Sequence, residues 1–229
     1  MTEAEWLASE EVFPMLRFIL DHNGMNRRKA GRRKLRLFGC ACCRQIWDRL
    51  TDARPRQAVE VAERLADGLV PKAEVERTRA QLQEARRDLN DRMYQDYEAY
   101  REAQHARGWD DDEDLALSEV NILFNPQAGN FASAGSHFAD QYGAQQIAAL
   151  RCIFGNPFKP VTFPRAWRTH NAKGLATAIY DNTNFNDLPI LADALEEAGC
   201  DNADILNHCR QPGEHVRGCW VVDLILGRT

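Results

Sequence analysis

Lys34–Leu50, KLRLFGCACCRQIWDRL, is the stretch on which the fold turns. Leu35, Phe38, Cys42, Ile46 and Leu50 recur every three or four residues, the stripe of a helix that buries one face. A strand would need alternation at period two, and no segment of the chain shows it convincingly. Upstream, Thr2 stands three residues before Glu5, a capping-box pattern that predicts a short first helix with Trp6 and Leu7 inward. A second helix over about 12–22 would turn Phe13, Leu16, Ile19 and Leu20 to the core and stop at Asn23-Gly24. Downstream, Asp52 and Pro55 open a helix that ends at Asp67-Gly68, and Pro71 begins the longest one, about 71–106. There Val75, Thr78, Leu82, Ala85, Leu89, Met93, Tyr97 and Tyr100 form a sparse seam through a highly charged sequence. Such a seam belongs to a long helix packed along one edge, in a hairpin or a dimer.

Helices follow at about 115–124, 137–154, 171–181, 188–198 and 202–210, the last after Asp201 as N-cap. A final helix is expected to carry Val216, Trp220, Val221, Leu224 and Ile225. Gly155-Asn156-Pro157, with Pro160 and Pro164, interrupts this series because each proline removes a donor and restricts its predecessor. The expectation is an all-α protein, a multi-helix bundle. Its helical body over 1–155 includes the long charged helix, and a compact helical unit covers 156–229, the two packing as two domains or one.

The chain has 229 residues, 29 Lys and Arg against 34 Asp and Glu, and a net charge of -5. Seven of the bases, Arg27, Arg28, Lys29, Arg32, Arg33, Lys34 and Arg36, fall within ten residues that contain no acid, leaving 22 bases against 34 acids elsewhere. Such a run would release counterions from a nucleic-acid backbone. No aromatics interleave it, however, and no base-reading helix accompanies it. A solvated loop, a contact with the acidic run Asp110–Asp114, or the acidic face of a protein partner are the other readings, and exposed pairs of this kind orient more than they stabilise. A hydrophobic content of 44% is enough for a packed core and excludes wholesale disorder or a fibrous repeat. No apolar run is long enough to span a bilayer, and the opening MTEAEWLASEEVF is acidic, so the expectation is a soluble, cytoplasmic protein with no membrane partner.

Seven cysteines without export signals favour reduced thiols or metal ligands over a disulfide framework. Cys40 and Cys43 lie three apart on one expected helix, and His215 and Cys219 four apart on another. Brought together they would make a Cys3His tetrahedral zinc site, with His208 or Cys209 as substitutes, stapling the two ends of the chain with about 10–16 kcal/mol of apparent binding free energy. The other reading is that the cysteines are small buried hydrophobes. It is supported by the place of Cys42 in the apolar stripe, the neighbours Trp220 and Val221 beside Cys219, and the lack of a C-x2-C pair.

Leu191-Ala192-Asp193-Ala194-Leu195-Glu196-Glu197-Ala198-Gly199, followed by Ala203, Ile205, Leu206 and Arg210, resembles the short planctomycete repeat-companion domain, with Ala194 where that pattern has an aromatic. Together with Phe38–Trp47 (FGCACCRQIW) and the stretch Phe154-Gly155-Asn156-Pro157-Phe158 with Pro160, the C-terminal third is similar to a larger family of uncharacterised paralogous planctomycete proteins. The resemblance implies a helical protein and brings no activity or catalytic residues with it.

No H-E-x-x-H, P-loop, G-x-S-x-G or dinucleotide-binding turn is present. The expected role is therefore a non-enzymatic interaction or adaptor module, meeting a protein partner or a second copy through the long helix. The alternative is a zinc-stapled nucleic-acid-binding regulator using residues 27–36. A thiol-dependent enzyme would need one cysteine with a depressed pKa.

Overall fold

A computed structural model describes residues 1–22, 27–103, 112–124 and 139–228, with the side chains of 22, 93–103, 112–115, 121, 139 and 140 outside that description. Among the described residues there are eleven α-helices and no strand: α1 (Glu3–Ala8), α2 (Val12–His22), α3 (Lys29–Gln45), α4 (Ala53–Ala66), α5 (Lys72–Ala103), α6 (Asp112–Ile122), α7 (Ala139–Phe154), α8 (His170–Asn182), α9 (Leu188–Glu197), α10 (Ala203–Arg210) and α11 (Trp220–Leu226). The all-α expectation holds, long helix included. No described helix is long and apolar enough to cross a membrane.

The chain forms two compact units, one of Met1–Lys34 with Gln141–Thr229 and one of Leu35–Asp140. The expected parting at 155/156 rested on the local Gly-Asn-Pro signal, which here ends α7 inside the first unit.

In the Leu35–Asp140 unit, the stripe Leu35, Phe38, Cys42, Ile46 and Leu50 is buried, but so are Leu37, Cys40 and Cys43. This part of α3 is covered on nearly every side, as a core helix is. Helices α4 and α5 form a hairpin, and α6 packs on both. The α5 seam is buried through Val75, Thr78, Leu82, Ala85 and Leu89. Its continuation through Met93, Tyr97 and Tyr100, and the acidic run Asp110–Asp114, lie outside the described side chains.

In the other unit the Thr2 capping box forms as expected: the Glu5 N–H donates to Thr2 Oγ1 at 3.3 Å and the Thr2 N–H to Glu5 Oε2 at 2.7 Å. Trp6 is buried, while Leu7 is 58% exposed. On α2 the buried face is Val12, Met15, Leu16 and Ile19, and Phe13 faces outward. The Arg151 guanidinium donates to the carbonyls of Trp6, Leu7 and Ser9, each at 2.9 Å, satisfying the end of α1. Helix α9 ends in a Schellman motif, with the Cys200 N–H on Leu195 C=O at 2.9 Å and the Gly199 N–H on Glu196 C=O at 2.8 Å. The residue that caps α10 is Asn202 rather than Asp201; its Oδ1 accepts from the Ile205 N–H at 3.1 Å.

Helices α8 to α11 close around Ala176, Ile179, Leu191, Leu195, Ile205, Val222 and Ile225. Asp223 of α11 sits inside this unit, fully covered, and Arg33 of α3 meets it with two hydrogen bonds, at 2.5 and 3.1 Å. Arg33 also donates to the Tyr180 hydroxyl at 2.8 Å. Removing one partner of a buried pair leaves a charge without compensation. Asp223→Asn is therefore expected to cost about 3–5 kcal/mol, read from urea denaturation, and the double variant Arg33→Met/Asp223→Leu to recover most of the loss.

Candidate metal centre

Four side chains from three helices and one connection converge inside the Met1–Lys34/Gln141–Thr229 unit. Helix α7 carries Cys152 near its C-terminal end, and α10 carries His208 on its buried face. The chain then leaves α10 through Gln211-Pro212-Gly213, so His215 stands on irregular backbone. Val216–Cys219 is a turn closed by the Cys219 N–H on Val216 C=O at 3.0 Å. Gly218 holds a φ of 93° there, the left-handed conformation that this turn position reserves for glycine. Cys219 is the N-cap residue of α11. His215 and Cys219 are thus brought together by a turn and not by one helical face, because Pro212, Gly213 and Gly218 keep the helix from starting before Trp220.

The ligand atoms of Cys152, His208, His215 and Cys219 all lie within 4.8 Å of one another. His208 Nε2 is 3.3 Å from Cys219 Sγ, and His215 Nδ1 is 3.6 Å from Cys152 Sγ. In a tetrahedral zinc site, bonds of about 2.3 Å to sulfur and about 2.0–2.1 Å to nitrogen place neighbouring sulfur and nitrogen ligands about 3.6 Å apart and two sulfurs about 3.8 Å apart. The measured separations fit those edges, and the widest needs to contract by about 1 Å. The two imidazoles stand edge to face, with centroids 4.8 Å apart and an interplanar angle of 89°.

The surroundings also suit a metal. Gln211 Nε2 lies 3.3 Å from His208 Nδ1 and donates to it as placed; coordination through His208 Nε2 would call for the amide to turn its oxygen to the ring and accept the Nδ1 proton. His215 faces the site through Nδ1, and its Nε2 is buried without a hydrogen-bond partner, a state that coordination through Nδ1 would leave unchanged. Burial opposes ionisation of Cys219, yet hydrogen bonds from Cys152 and His208 and the charge of His208 hold its thiol well below the usual range. Burial, followed by the neighbouring Cys219, pushes Cys152 well above it. A divalent ion would bind both sulfurs as thiolates and draw off the protons they carry. Two thiolates and a divalent cation sum to zero, which a buried site tolerates.

Of the residues the sequence nominated, His215, Cys219 and the substitute His208 belong to this group. Cys40 and Cys43 do not. They belong to the other unit, where burial pushes both thiols up, so the buried-thiol reading describes them. Cys209 faces the apolar core beside Leu206, and burial raises its pKa as well. Cys152 was not nominated. A single cysteine on an apolar helix, 63 residues from His215, has no spacing to read.

The basic run does not form one patch. Arg33 is buried on Asp223, and Arg36 donates to Leu123 C=O at 3.1 Å. Lys34 is largely covered, while Arg27, Arg28, Lys29 and Arg32 are exposed.

Loading the four-residue set with cobalt(II) is expected to give the intense visible bands of a tetrahedral thiolate site. Cys152→Ser and Cys219→Ser should each abolish them, whereas Cys40→Ser/Cys43→Ser leaves them unchanged. No family model matches the chain, and no curated protein or solved structure is significantly similar to it.

Proposed function

We infer that the chain is a non-enzymatic helical interaction protein in which the unit of Met1–Lys34 and Gln141–Thr229 is held together by a structural zinc ion. The observation that carries this reading is the closed Cys2His2 set of Cys152, His208, His215 and Cys219. Structural zinc sites have four protein ligands, whereas catalytic ones keep a position open for water or substrate. Here the two sulfurs and His208 are buried, and the set already supplies all four positions. The ion ties α7, α10 and the start of α11 across a connection that has no regular structure of its own.

What such a unit presents outward is helical surface, with Leu7, Phe13 and Ile190 about half exposed and a cationic edge at Arg27, Arg28, Lys29 and Arg32. This distribution favours an acidic protein partner over a nucleic acid, since three of the seven cations are engaged or covered.

A second reading rests on Cys219 itself. A thiol with a depressed pKa, 3.3 Å from a histidine nitrogen, has the geometry of a nucleophile and its base. The complete burial of Cys219 and the two further donors beside it weigh for the metal.

Protein purified without a histidine tag should carry close to one zinc per chain, and less than about 0.2 would sink the structural reading. Chelation is expected to lower Tm by at least about 10 °C, because each kcal/mol is worth about 2–4 °C in a chain of this size. Uniformly slow alkylation of the zinc-loaded protein fits a structural site, whereas rapid selective modification of Cys219 would transfer support to the nucleophile. Nucleic acid retained after low-salt purification, and lost when Arg27, Arg28 and Arg32 become Ser, would replace the protein partner with a polyanion.

A further inference from the structure

We propose that the cleft between the end of α7 and α11 is a binding site for a carboxylate carried on a short apolar group, with the Lys34 ammonium as its counter-charge. The cleft has a volume of about 150 Å³. That is below the range of about 300–1,000 Å³ for drug-sized ligands and suits a molecule, or a chain end, of a few non-hydrogen atoms. Its walls are mainly apolar, from Phe154, Val161, Trp220 and Leu224, and the Asp204 carboxylate also lines it.

Lys34 is the feature that points to a ligand. Its ammonium is 5.9 Å from the centroid of the Phe154 ring. Among the described residues no hydrogen-bond acceptor or carboxylate lies within bonding reach of it. Asp223, the nearest acid in influence, is already engaged by Arg33 through both oxygens. Burial lowers the pKa of Lys34, the expected response of a cation taken from water without a partner. The other cation of the cleft, Lys159, is held by Glu3 at 3.3 Å, and the Asn156 amide donates to the same carboxylate at 2.7 Å. Lys34 is therefore the cation of this cleft left to recognise an anion. A carboxylate there would exchange hydration for a charge-assisted hydrogen bond in an apolar setting, while its apolar part meets two aromatic rings.

The cleft is also held open by construction. Gly155, with a φ of 65°, lets the backbone approach Trp220 so closely that a Cβ would come within 3.2 Å of the indole. Phe154 follows Cys152 by two residues, and Trp220 follows Cys219 directly. His208 packs on Trp220 with ring centroids 5.2 Å apart. The metal ligands and the cleft walls therefore share the same short segments. In this respect the proposal leans on the zinc reading for rigidity, but not for any contact with the ligand.

The test is calorimetric titration of zinc-loaded full-length protein with isovalerate, using isovaleramide as the neutral control, with zinc content measured on each sample. Binding in the millimolar range or tighter is expected for the acid, at least about tenfold weaker for the amide. Lys34→Met should remove the preference for acid over amide. Val161→Trp, which fills the cleft while keeping the Lys34 side chain, should remove binding of both and serves as the deciding variant where Lys34→Met does not fold. Acetyl-Gly-Gly-Val as free acid and as amide separates the two sources of the ligand. Tighter binding of the peptide acid than of isovalerate identifies a protein C-terminus, and the reverse a free small carboxylate. Equal binding of acid and amide, no heat from any acid at about 10 mM, or full binding by Val161→Trp would each overturn the proposal. Zinc-loaded protein that binds no carboxylate refutes the cleft alone, and carboxylate binding by zinc-free folded protein refutes the staple alone.

Discussion

Two acidic groups are buried one helical turn apart at the start of α11. Cys219 and Asp223 are both fully covered and are joined by the Asp223 N–H on the Cys219 carbonyl at 2.9 Å. Water cannot stabilise a negative charge at either position, so each needs a counter-charge from the protein or from an ion. Asp223 obtains it from Arg33, across 190 residues of sequence. For Cys219 the protein offers a thiol and two imidazoles. A divalent cation, as proposed above, would balance Cys219 and Cys152 together with both imidazoles as neutral ligands. The two demands stand side by side in this unit: Arg33 of α3 meets Asp223, and Cys152 of α7 stands beside Cys219.

The same constraint distinguishes structural from catalytic use. An activated thiol must be reachable by its substrate, and its base must be free to exchange protons. Cys219 has the lowered pKa, but His208 is packed between His215 and Trp220, and Cys152 occupies the remaining side of the sulfur. Chemistry at Cys219 would require part of the unit to open, whereas coordination uses the packing as it stands.

Much of the helical architecture was legible in the chain because its signals are local. The capping box at Thr2 and Glu5, the Asp52 cap of α4, the start of α5 after Pro71 and the stop at Gly199 each depend on residues within a turn or two, and each appears in the structure. Burial was harder to read. The outward side chains of Phe13 and Leu7 and the covered Cys40 and Cys43 depend on what packs against a helix, which periodicity cannot specify. The metal centre was half legible for the same reason. His208, His215 and Cys219 lie within twelve residues and their density was visible, although the turn at Gly218, not a helical face, joins the last two. Cys152 enters only through tertiary packing.

The charge pattern changes its meaning once the side chains have places. Seven cations in ten residues look like one electrostatic feature, yet the α3 register divides them by task. Arg27, Arg28, Lys29 and Arg32 stay in solvent, where long-range steering is their physical effect. Arg33 neutralises a buried carboxylate, Lys34 stands in an apolar cleft, and Arg36 satisfies a helix-end carbonyl. Arg33, buried on its carboxylate, adds little to the external field, and the half-buried Lys34 and Arg36 add less than an exposed cation would. A surface-charge argument that counts all seven therefore overstates the pull on a polyanion. On the proposal above, the charge that calls for an external partner is the half-buried ammonium of Lys34, where an anion would meet less competition from water than at the exposed cations.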